Sequence, residues 1–115
     1  MKPNVIIVDD IDVNRFLIKE IIKEKPIEIT EATNGEECIN LINNNTKLIF
    51  MDVMMPIMNG IEATKIINEK YPNIIVIGIT GQYESKEHKI FHEILYKPYN
   101  GCKLIDILKK YNIII

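Results

Sequence analysis

Five short apolar runs alternate along this chain with segments in which apolar residues recur at helical spacing. The runs cover residues 5–8, 27–30, 48–51, 74–79 and 94–96. The first of them, Val5-Ile6-Ile7-Val8, is a continuous β-branched run, which is typical of a strand covered on both faces. The pattern therefore predicts five buried strands.

The segments between the runs predict helices. We expect Asp12 to cap a first helix, which Pro26 stops. We expect further helices after Asn34-Gly35, over residues 61–71, over about 85–91, and at the end of the chain. Their apolar positions at helical spacing are Val13, Phe16, Leu17 and Ile21; then Cys38, Ile39 and Ile42; and finally Leu104, Ile105, Leu108 and Tyr111.

Strands alternating with helices of this length predict right-handed βαβ units, a parallel sheet and helices on both of its faces. No internal repeat, linker or low-complexity stretch divides the sequence, so we expect one α/β domain over residues 1–115. In such doubly wound sheets, ligands bind beyond the carboxyl ends of the strands, where the strand order reverses.

Composition narrows the function classes. Fourteen basic residues stand against sixteen acidic ones, for a formal net charge of −2. No basic helix face is evident, so direct nucleic-acid binding is not expected. No signal-peptide pattern or membrane-length apolar run is present, so we expect a cytoplasmic protein without a membrane partner.

Several residues have an ordinary structural interpretation. Cys38 and Cys102 are too few for a disulfide framework or a zinc site, and we expect both to pack within helices. His88 and His92 are expected on a solvated face. The apolar tail 113–115 is compatible with packing under the sheet, with covering a neighbour, or with a cut from a longer chain.

Polar residues follow the predicted strands, and they are the informative feature. Asp9 and Asp10 follow the first run, Glu31 the second, Asp52 the third, Thr80 the fourth and Lys97 the fifth. Three aspartates at one sheet edge would repel one another by roughly 4 kcal/mol per pair at about 4 Å. A hard divalent cation with oxygen ligands, such as Mg²⁺, would neutralise them.

With a cation in place, Asp52 is suited to attack phosphorus and form an aspartyl phosphate. Phosphoryl transfer otherwise requires positioning and positive charge against the equatorial oxygens. Lys97 supplies an ammonium for one oxygen, and the Thr80 hydroxyl suits another. Each residue alone has a simpler interpretation as a strand end, a turn or a solvated lysine, but their joint placement favours this chemistry.

The motifs resemble those of the receiver domains of two-component response regulators, and the resemblance covers essentially the whole chain. The matching motifs are Val8-Asp9-Asp10 with Asn14, the segment 51–60, Ile79-Thr80-Gly81 and Tyr96-Lys97-Pro98-Tyr99. The resemblance implies a flavodoxin-like (βα)5 fold, with five parallel strands in the order 2-1-3-4-5.

By this resemblance, Asp52 is the phosphoacceptor, charged by a phosphohistidine on a sensor histidine kinase or a histidine phosphotransfer domain. Asp10, Asp52 and the Met54 backbone carbonyl would ligate Mg²⁺, and Asp9 would hold a metal-bound water. Thr80 and Lys97 match the family's switch hydroxyl and lysine. A downstream protein partner and a homodimer are also implied, and segment 51–64 is similar to receivers of hybrid kinases and phosphorelays.

The chain departs from the family pattern in two places. The position three residues before Lys97 usually holds Tyr or Phe, which swings inward with the threonine, and here it is Ile94. Tyr96, Tyr83 and Phe91 are candidates for that role, and each has the simpler interpretation of a packing or surface aromatic. The stretch between Thr80 and Lys97 is also short, which predicts a truncated fourth helix.

Two other functions remain open at this point. A phosphatase of the haloacid-dehalogenase type also uses an aspartate with Mg²⁺, but it needs a second aspartate two residues later, where Met54 stands. A pseudo-receiver would keep the fold as a protein-interaction module without the chemistry. A receiver would be a signalling phosphoacceptor with self-catalysed phosphorylation rather than a conventional enzyme, and both a lone shuttle and a piece of a hybrid kinase fit the sequence.

Overall fold

The computed structural model describes residues 2–81 and 86–115, and in the range 86–87 it describes the backbone alone. In that part of the chain, five strands alternate with helices. The strands are β1 (Asn4–Val8), β2 (Glu28–Ala32), β3 (Thr46–Asp52), β4 (Ile75–Thr80) and β5 (Glu93–Tyr96). The α-helices are α1 (Asp12–Ile22), α2 (Gly35–Leu41), α3 (Gly60–Lys70) and α4 (Gly101–Lys110), and a 3₁₀ helix spans Lys86–Ile90.

The sheet has the strand order β2-β1-β3-β4-β5, and every neighbouring pair is parallel. This confirms the α/β doubly wound fold with the order 2-1-3-4-5. The chain first moves outward from β1 to β2 and then returns past β1 to β3. The order therefore reverses between β1 and β3, whose carboxyl ends lie side by side because Val8 pairs with Met51.

Two apolar layers cover the sheet, one on each face. Alternation along β1 separates them, since Val5 and Ile7 contact one layer whereas Ile6 and Val8 contact the other. The first layer joins the sheet to α1 and α4, and the second joins it to α2, α3 and Phe91 beside the 3₁₀ helix. Burial on both faces explains why the strand sequences are continuous apolar runs.

Helix α1 corrects the sequence prediction about which of its faces is buried. The expected apolar stripe lies outside, where Val13, Phe16 and Leu17 are each more than half exposed. The buried positions are Arg15, Ile18 and Ile22, which recur at the same helical spacing. Both stripes have helical periodicity, so spacing alone could not choose between them. Asp12 is the first residue of the helix rather than its cap, which is Ile11 and makes no side-chain capping bond.

Two smaller expectations, for Cys102 and His88, need correction, and a third, for His92, needs an addition. Cys102 is exposed, although Cys38 is buried as predicted. His88 is buried. His92 is exposed, but its ring Nδ1 accepts a hydrogen bond from the Val76 backbone N–H at 3.1 Å, so it does more than face solvent.

The predicted element boundaries shift by a few residues; for example, β2 spans Glu28–Ala32 instead of 27–30, and β3 spans Thr46–Asp52 instead of 48–51. The short helix expected over 85–91 is a 3₁₀ helix over Lys86–Ile90, and Ser85 lies outside the described residues. In the C-terminal tail, Ile114 packs into the first layer whereas Ile115 is fully exposed.

The orientation of α1, with Ile22 buried and Phe16 exposed, can be tested with a matched pair of substitutions. We expect Ile22→Ala to lower the free energy of unfolding by about 3 kcal/mol, because it leaves a cavity in a fully buried position. Phe16→Ala removes a larger side chain from a surface position, so its cost should stay below about 1 kcal/mol. Urea unfolding followed by circular dichroism measures both. Equal losses in the two variants would contradict this orientation of the helix.

Candidate functional site

The acidic residues at the carboxyl ends of β1 and β3 meet at the point where the strand order reverses. One carboxylate oxygen from each of Asp9, Asp10 and Asp52 lies within 4.8 Å of the other two. Asp9 and Asp52 are buried and Asp10 is exposed, so the cluster has a closed inner side and an open outer side. The sheet edge thus brings the three predicted acids together.

The turn between β1 and α1 fixes Asp9 from several directions. Its backbone N–H donates to the Ala32 carbonyl at 3.1 Å, which extends the pairing with β2. Its side-chain Oδ1 accepts the Ile11 backbone N–H at 2.9 Å. Its carbonyl oxygen accepts from Arg15 Nη1 at 2.6 Å. The Asp9 carboxylate is therefore held at its Oδ1.

The loop between β3 and α3 encloses Asp52 from the other side. Val53 N–H donates to the Ile79 carbonyl at 3.0 Å, and Gly60 N–H donates to the Val53 carbonyl at the same distance. The Gly60 backbone approaches so closely that a Cβ there would lie 2.3 Å from the Asp52 carbonyl oxygen. Glycine is required at the start of α3 for this reason, beyond the loop punctuation that its sequence position indicates.

Asp52 is a weaker acid than usual, and burial is the main cause. Burial raises the pKa of Asp52 to about 6 because a desolvated carboxylate is costly, and the charge of Asp9 raises the pKa further. The Lys97 ammonium and a backbone hydrogen bond from Met54 oppose this shift. Asp52 thus lies within electrostatic reach of Lys97, which is the predicted cationic partner.

Thr80 and Lys97 occupy the ends of β4 and β5. Thr80 is buried and is paired in register with Tyr96, and the Lys97 backbone N–H donates to the Thr80 carbonyl at 2.8 Å. Lys97 is exposed. Met54 lies two residues beyond Asp52 with its side chain largely in solvent. Glu31, the remaining strand-end acid, pairs with Arg15 at 3.2 Å and lies outside the carboxylate cluster.

A groove of about 390 Å³ opens beside the cluster, between α1 and the residues that follow β5. Its lining is mostly apolar, and its polar lining residues are Asp9, Asn14 and Lys97. The other lining residues are Leu17, Ile18, Ile21, Ile79, Pro98 and Tyr99. The exposed apolar residues of α1 therefore continue directly into the site.

The region of the family's switch aromatic is filled differently in this chain. Gly78 pairs with Ile94, and a Cβ at Gly78 would lie 2.7 Å from Ile94 Cδ1 and 2.9 Å from Phe91 Cγ. Phe91 is buried over the strand, and Tyr96 lies beside Thr80 in the register. Tyr83, the third aromatic considered, falls outside the described residues.

Sequence reasoning missed Arg15. Arg15 is buried in the first turn of α1, where it contacts the Asp9 backbone and the side chains of Asp12 and Glu31. The available signal was its spacing, because Arg15 precedes Ile18 and Ile22 by three and seven residues. That stripe was passed over in favour of the more apolar one.

Among the described residues, no helix is both long and apolar enough to cross a lipid bilayer.

The fold and the site together define a class of protein, namely a doubly wound α/β domain with a cation-compatible aspartate cluster at its topological switch point. The family model described as "Response regulator receiver domain" matches residues 5–109. This chain therefore belongs to the response regulator receiver family, which is a family of signalling modules.

Curated relatives agree with this assignment. Two-component response regulator 24 of Arabidopsis thaliana is 35% identical over 96% of this chain and 85% of its own length. Chemotaxis protein CheY of Thermotoga maritima is 34% identical over 96% of this chain and 98% of its own. The autoinducer 1 sensor kinase/phosphatase LuxN of Vibrio harveyi is 32% identical over 81% of this chain, which spans only 11% of that protein's length.

Solved structures show the same fold. A CheY-like response regulator receiver domain protein from Methanospirillum hungatei superposes with a TM-score of 0.88, covering 97% of this chain and 95% of that one at 23% identity. Chemotaxis protein CheY4 of Vibrio cholerae superposes with a TM-score of 0.86 over 96% and 99% at 24% identity.

The raised pKa of Asp52 predicts a pH-dependent stability in the metal-free protein. The ordinary pKa is 3.8 and the folded value about 6, so the folded state favours the protonated carboxyl. The stability this provides is fully present below about pH 4 and is lost as the pH rises through about 6. The Asp52→Asn variant has no ionisable group at this position, so it does not lose this stability as the pH rises. At neutral pH it should therefore be more stable than the parent protein by about 2 kcal/mol.

Urea unfolding in the presence of a chelator, repeated from pH 4 to pH 8, would measure this difference. The gain should shrink towards zero at the acid end of the series. A stability difference that does not change with pH would contradict the assigned cause, because an isosteric amide would then act through something other than the titration of Asp52.

Proposed function

We propose that residues 1–115 act as one phosphoacceptor receiver domain, with Asp52 as the residue that accepts the phosphoryl group. The observation that carries this proposal is the approach of three carboxylates to within 4.8 Å at the switch point of the sheet. Family membership supports it, since the receiver-domain match spans residues 5–109 and so includes Asp9, Asp10, Asp52, Thr80 and Lys97.

The donor set fits Mg²⁺. Three carboxylates form a hard, oxygen-rich set, and its open outer side leaves room for water and phosphate oxygens, as Mg²⁺ prefers. Asp10, Asp52 and the Met54 carbonyl are the proposed ligands, and Asp9 is proposed to hold a bound water. When bound, the cation supplies positive charge that offsets the carboxylates and a phosphoryl oxygen.

The proposed transfer is a simple displacement at phosphorus. An oxygen of the Asp52 carboxylate forms the new P–O bond, the P–N bond to the donor histidine breaks, and its electron pair returns to the imidazole nitrogen. The Asp52 carboxylate must be ionised to act as the nucleophile. Its raised pKa therefore matters only while the acid cluster is uncompensated, since added positive charge lowers the pKa of a carboxylate.

Lys97 and Thr80 have proposed roles on the phosphoryl group. Lys97 is exposed at the end of β5 and already acts electrostatically on Asp52, so its ammonium is suited to pair with one phosphoryl oxygen. Thr80 ends the neighbouring strand β4, and its hydroxyl is suited to another oxygen. The bond between their backbones keeps these two strand ends together.

The exposed apolar surface of α1 indicates where a protein phosphodonor would dock. Val13, Phe16 and Leu17 lie on the outer face of the helix, and Leu17 also lines the groove that leads to Asp9 and Lys97. A donor histidine must reach Asp52, so its protein must cover the surface next to the cluster. We propose a sensor histidine kinase or a histidine phosphotransfer domain as this donor, docking an apolar helical surface on α1.

The signal output is proposed to differ from that of a receiver with the usual aromatic. Ile94 stands at the third position before Lys97, and together with Phe91 it fills the space over Gly78. This departure is also the observation that favours a pseudo-receiver as the second candidate, which would bind a downstream protein without phosphorylation. The two candidates differ in whether Asp52 reacts.

Incubation with acetyl phosphate and Mg²⁺, followed by intact-mass measurement, tests the proposal. We expect a single alkali-labile phosphoryl adduct, which is absent in Asp52→Asn and absent when a chelator replaces Mg²⁺. An unmodified parent protein would favour the pseudo-receiver, and steady release of phosphate from varied monoesters would favour a phosphatase. Glu20→Gln is a matched control, because Glu20 lies on the surface of α1 outside the cluster and pairs with Lys23, so its variant should be phosphorylated normally.

The proposed docking surface can be separated from the chemistry. Phe16→Ser and Leu17→Ser should phosphorylate from acetyl phosphate within about twofold of the parent rate, because neither side chain belongs to the acid cluster. Transfer from a phosphorylated histidine phosphotransfer domain that is active on the parent protein should fall at least about tenfold, as expected on loss of a buried apolar contact. Leu41→Ser, on the surface of α2, is the control, and an equal loss in that variant would contradict the location.

A further inference from the structure

We propose that Arg15 is a positioning residue for the cation site, and that it holds the turn carrying Asp9 and Asp10 in the geometry that a divalent cation requires. This inference rests on the proposed function, since it concerns how the acid cluster is prepared for Mg²⁺. Arg15 lies behind the cluster and is no ligand itself. Its contacts explain how it would act.

The guanidinium of Arg15 makes three separate contacts. Nη1 donates to the Asp9 carbonyl oxygen at 2.6 Å in a buried position, and Nε donates to Glu31 Oε1 at 3.2 Å. Nη2 contacts the carboxylate of Asp12, one turn earlier on the same helix. A planar fork with fixed donors can satisfy all three partners at once, which a single ammonium on a flexible stem cannot do.

These contacts join three elements at one point. Asp9 follows β1, Glu31 lies in β2, and Arg15 and Asp12 belong to α1. The β1–β2 pairing ends with the bond from Asp9 N–H to the Ala32 carbonyl, so the turn is fixed to β2 by its own backbone and through Arg15. Without the guanidinium, the Asp9 carbonyl would be a buried acceptor that has lost its charged partner.

Helix α1 has no side-chain capping interaction at its N-terminus that could replace this contact. Its cap, Ile11, makes no side-chain capping bond, and the Ile11 N–H is already used by Asp9 Oδ1. The turn is therefore held by the bond from Asp9 N–H to Ala32, by the Asp9 side chain and by Arg15. Loss of Arg15 would release the Asp9 carbonyl, and the orientation of the Asp9 and Asp10 carboxylates would be less tightly fixed.

Simple electrostatics predicts the opposite sign of effect, and this makes the proposal testable. If Arg15 acted only through its charge, the three carboxylates would bind a cation more strongly once that charge was removed. Removing a geometric constraint should weaken cation binding, because supporting residues of a metal site typically contribute about 10- to 100-fold in affinity. The charge of Arg15 is largely compensated by Asp12 and Glu31, so the geometric effect should prevail.

The experiment is a titration of the intact chain with Mg²⁺ by isothermal calorimetry at neutral pH. For Arg15→Met, which keeps much of the apolar stem, we expect the Kd for Mg²⁺ to rise about tenfold. For Arg15→Lys, which keeps the charge but loses the fork, we expect a rise of about threefold or more. Glu20→Gln removes an acidic charge from the same helix, where Glu20 pairs with Lys23 at the surface, so its Kd should stay within about twofold of the parent value.

A second measurement separates positioning from catalysis and from folding. With acetyl phosphate, Arg15→Met should need a higher Mg²⁺ concentration for half-maximal rate, yet reach a maximal rate near that of the parent at saturating Mg²⁺. Urea unfolding with a chelator present gives the stability of each variant. A loss of stability in Arg15→Met with an unchanged Kd would overturn the proposal and leave Arg15 a purely structural residue.

The remaining outcomes are also decisive. Tighter Mg²⁺ binding in Arg15→Met would show that Arg15 acts as a charge alone, which would refute the positioning role. If Arg15→Met does not fold, Arg15→Lys decides the question by the same criterion. A parent protein that binds no Mg²⁺, or an Asp52→Asn variant that binds it as tightly as the parent, would refute the proposed function itself before any Arg15 variant is considered.

Discussion

The mutual repulsion of three aspartates at one sheet edge is the constraint on which the rest of the site depends. Their oxygen atoms lie within 4.8 Å of one another, and two of the three residues are buried. Such an arrangement is unfavourable unless protons, nearby cations or a metal offset the charge. In the metal-free protein, burial first and then the charge of Asp9 raise the pKa of Asp52, so repulsion within the cluster adds to the cost of desolvation.

The sheet maintains this unfavourable cluster because its position follows from the register. The buried runs of β1 and β3 pair residue against residue, so their carboxyl ends cannot separate without loss of the core on both faces. The turns beyond them are then fixed by backbone contacts, with Gly60 against the Asp52 carbonyl and Ala32 against the Asp9 N–H. Packing of apolar strands thus supplies the free energy that holds the charged groups together.

Much of the fold and of the acid cluster could be predicted from the sequence, for a physical reason. Strands buried on both faces leave continuous apolar runs, and polar residues after Val8, Met51 and Ile79 mark where each strand ends. Parallel pairing then brings those ends to one edge. Thr80 and Lys97 were found in the same way, and their roles on a phosphoryl group remain proposals.

The sequence was a poor guide where two patterns had the same period or where contacts cross between elements. Helix α1 contains two stripes at helical spacing, and the more apolar one is the exposed one. Arg15 stayed hidden for the same reason, since a charged residue in a buried stripe is unexpected until its partners Asp9 and Glu31 are seen. His88 likewise gave no sign in the sequence that it would be buried.

The open apolar face of α1 has a consequence for how this protein behaves at high concentration. A formal net charge of −2 gives little long-range repulsion between copies of the protein. Exposed apolar side chains on α1 favour association between copies, namely Val13, Phe16 and Leu17. Colloidal stability is therefore limited by the same side chains that face outward beside the acid cluster. Selection for solubility and selection for partner recognition would act on this helix in opposite directions.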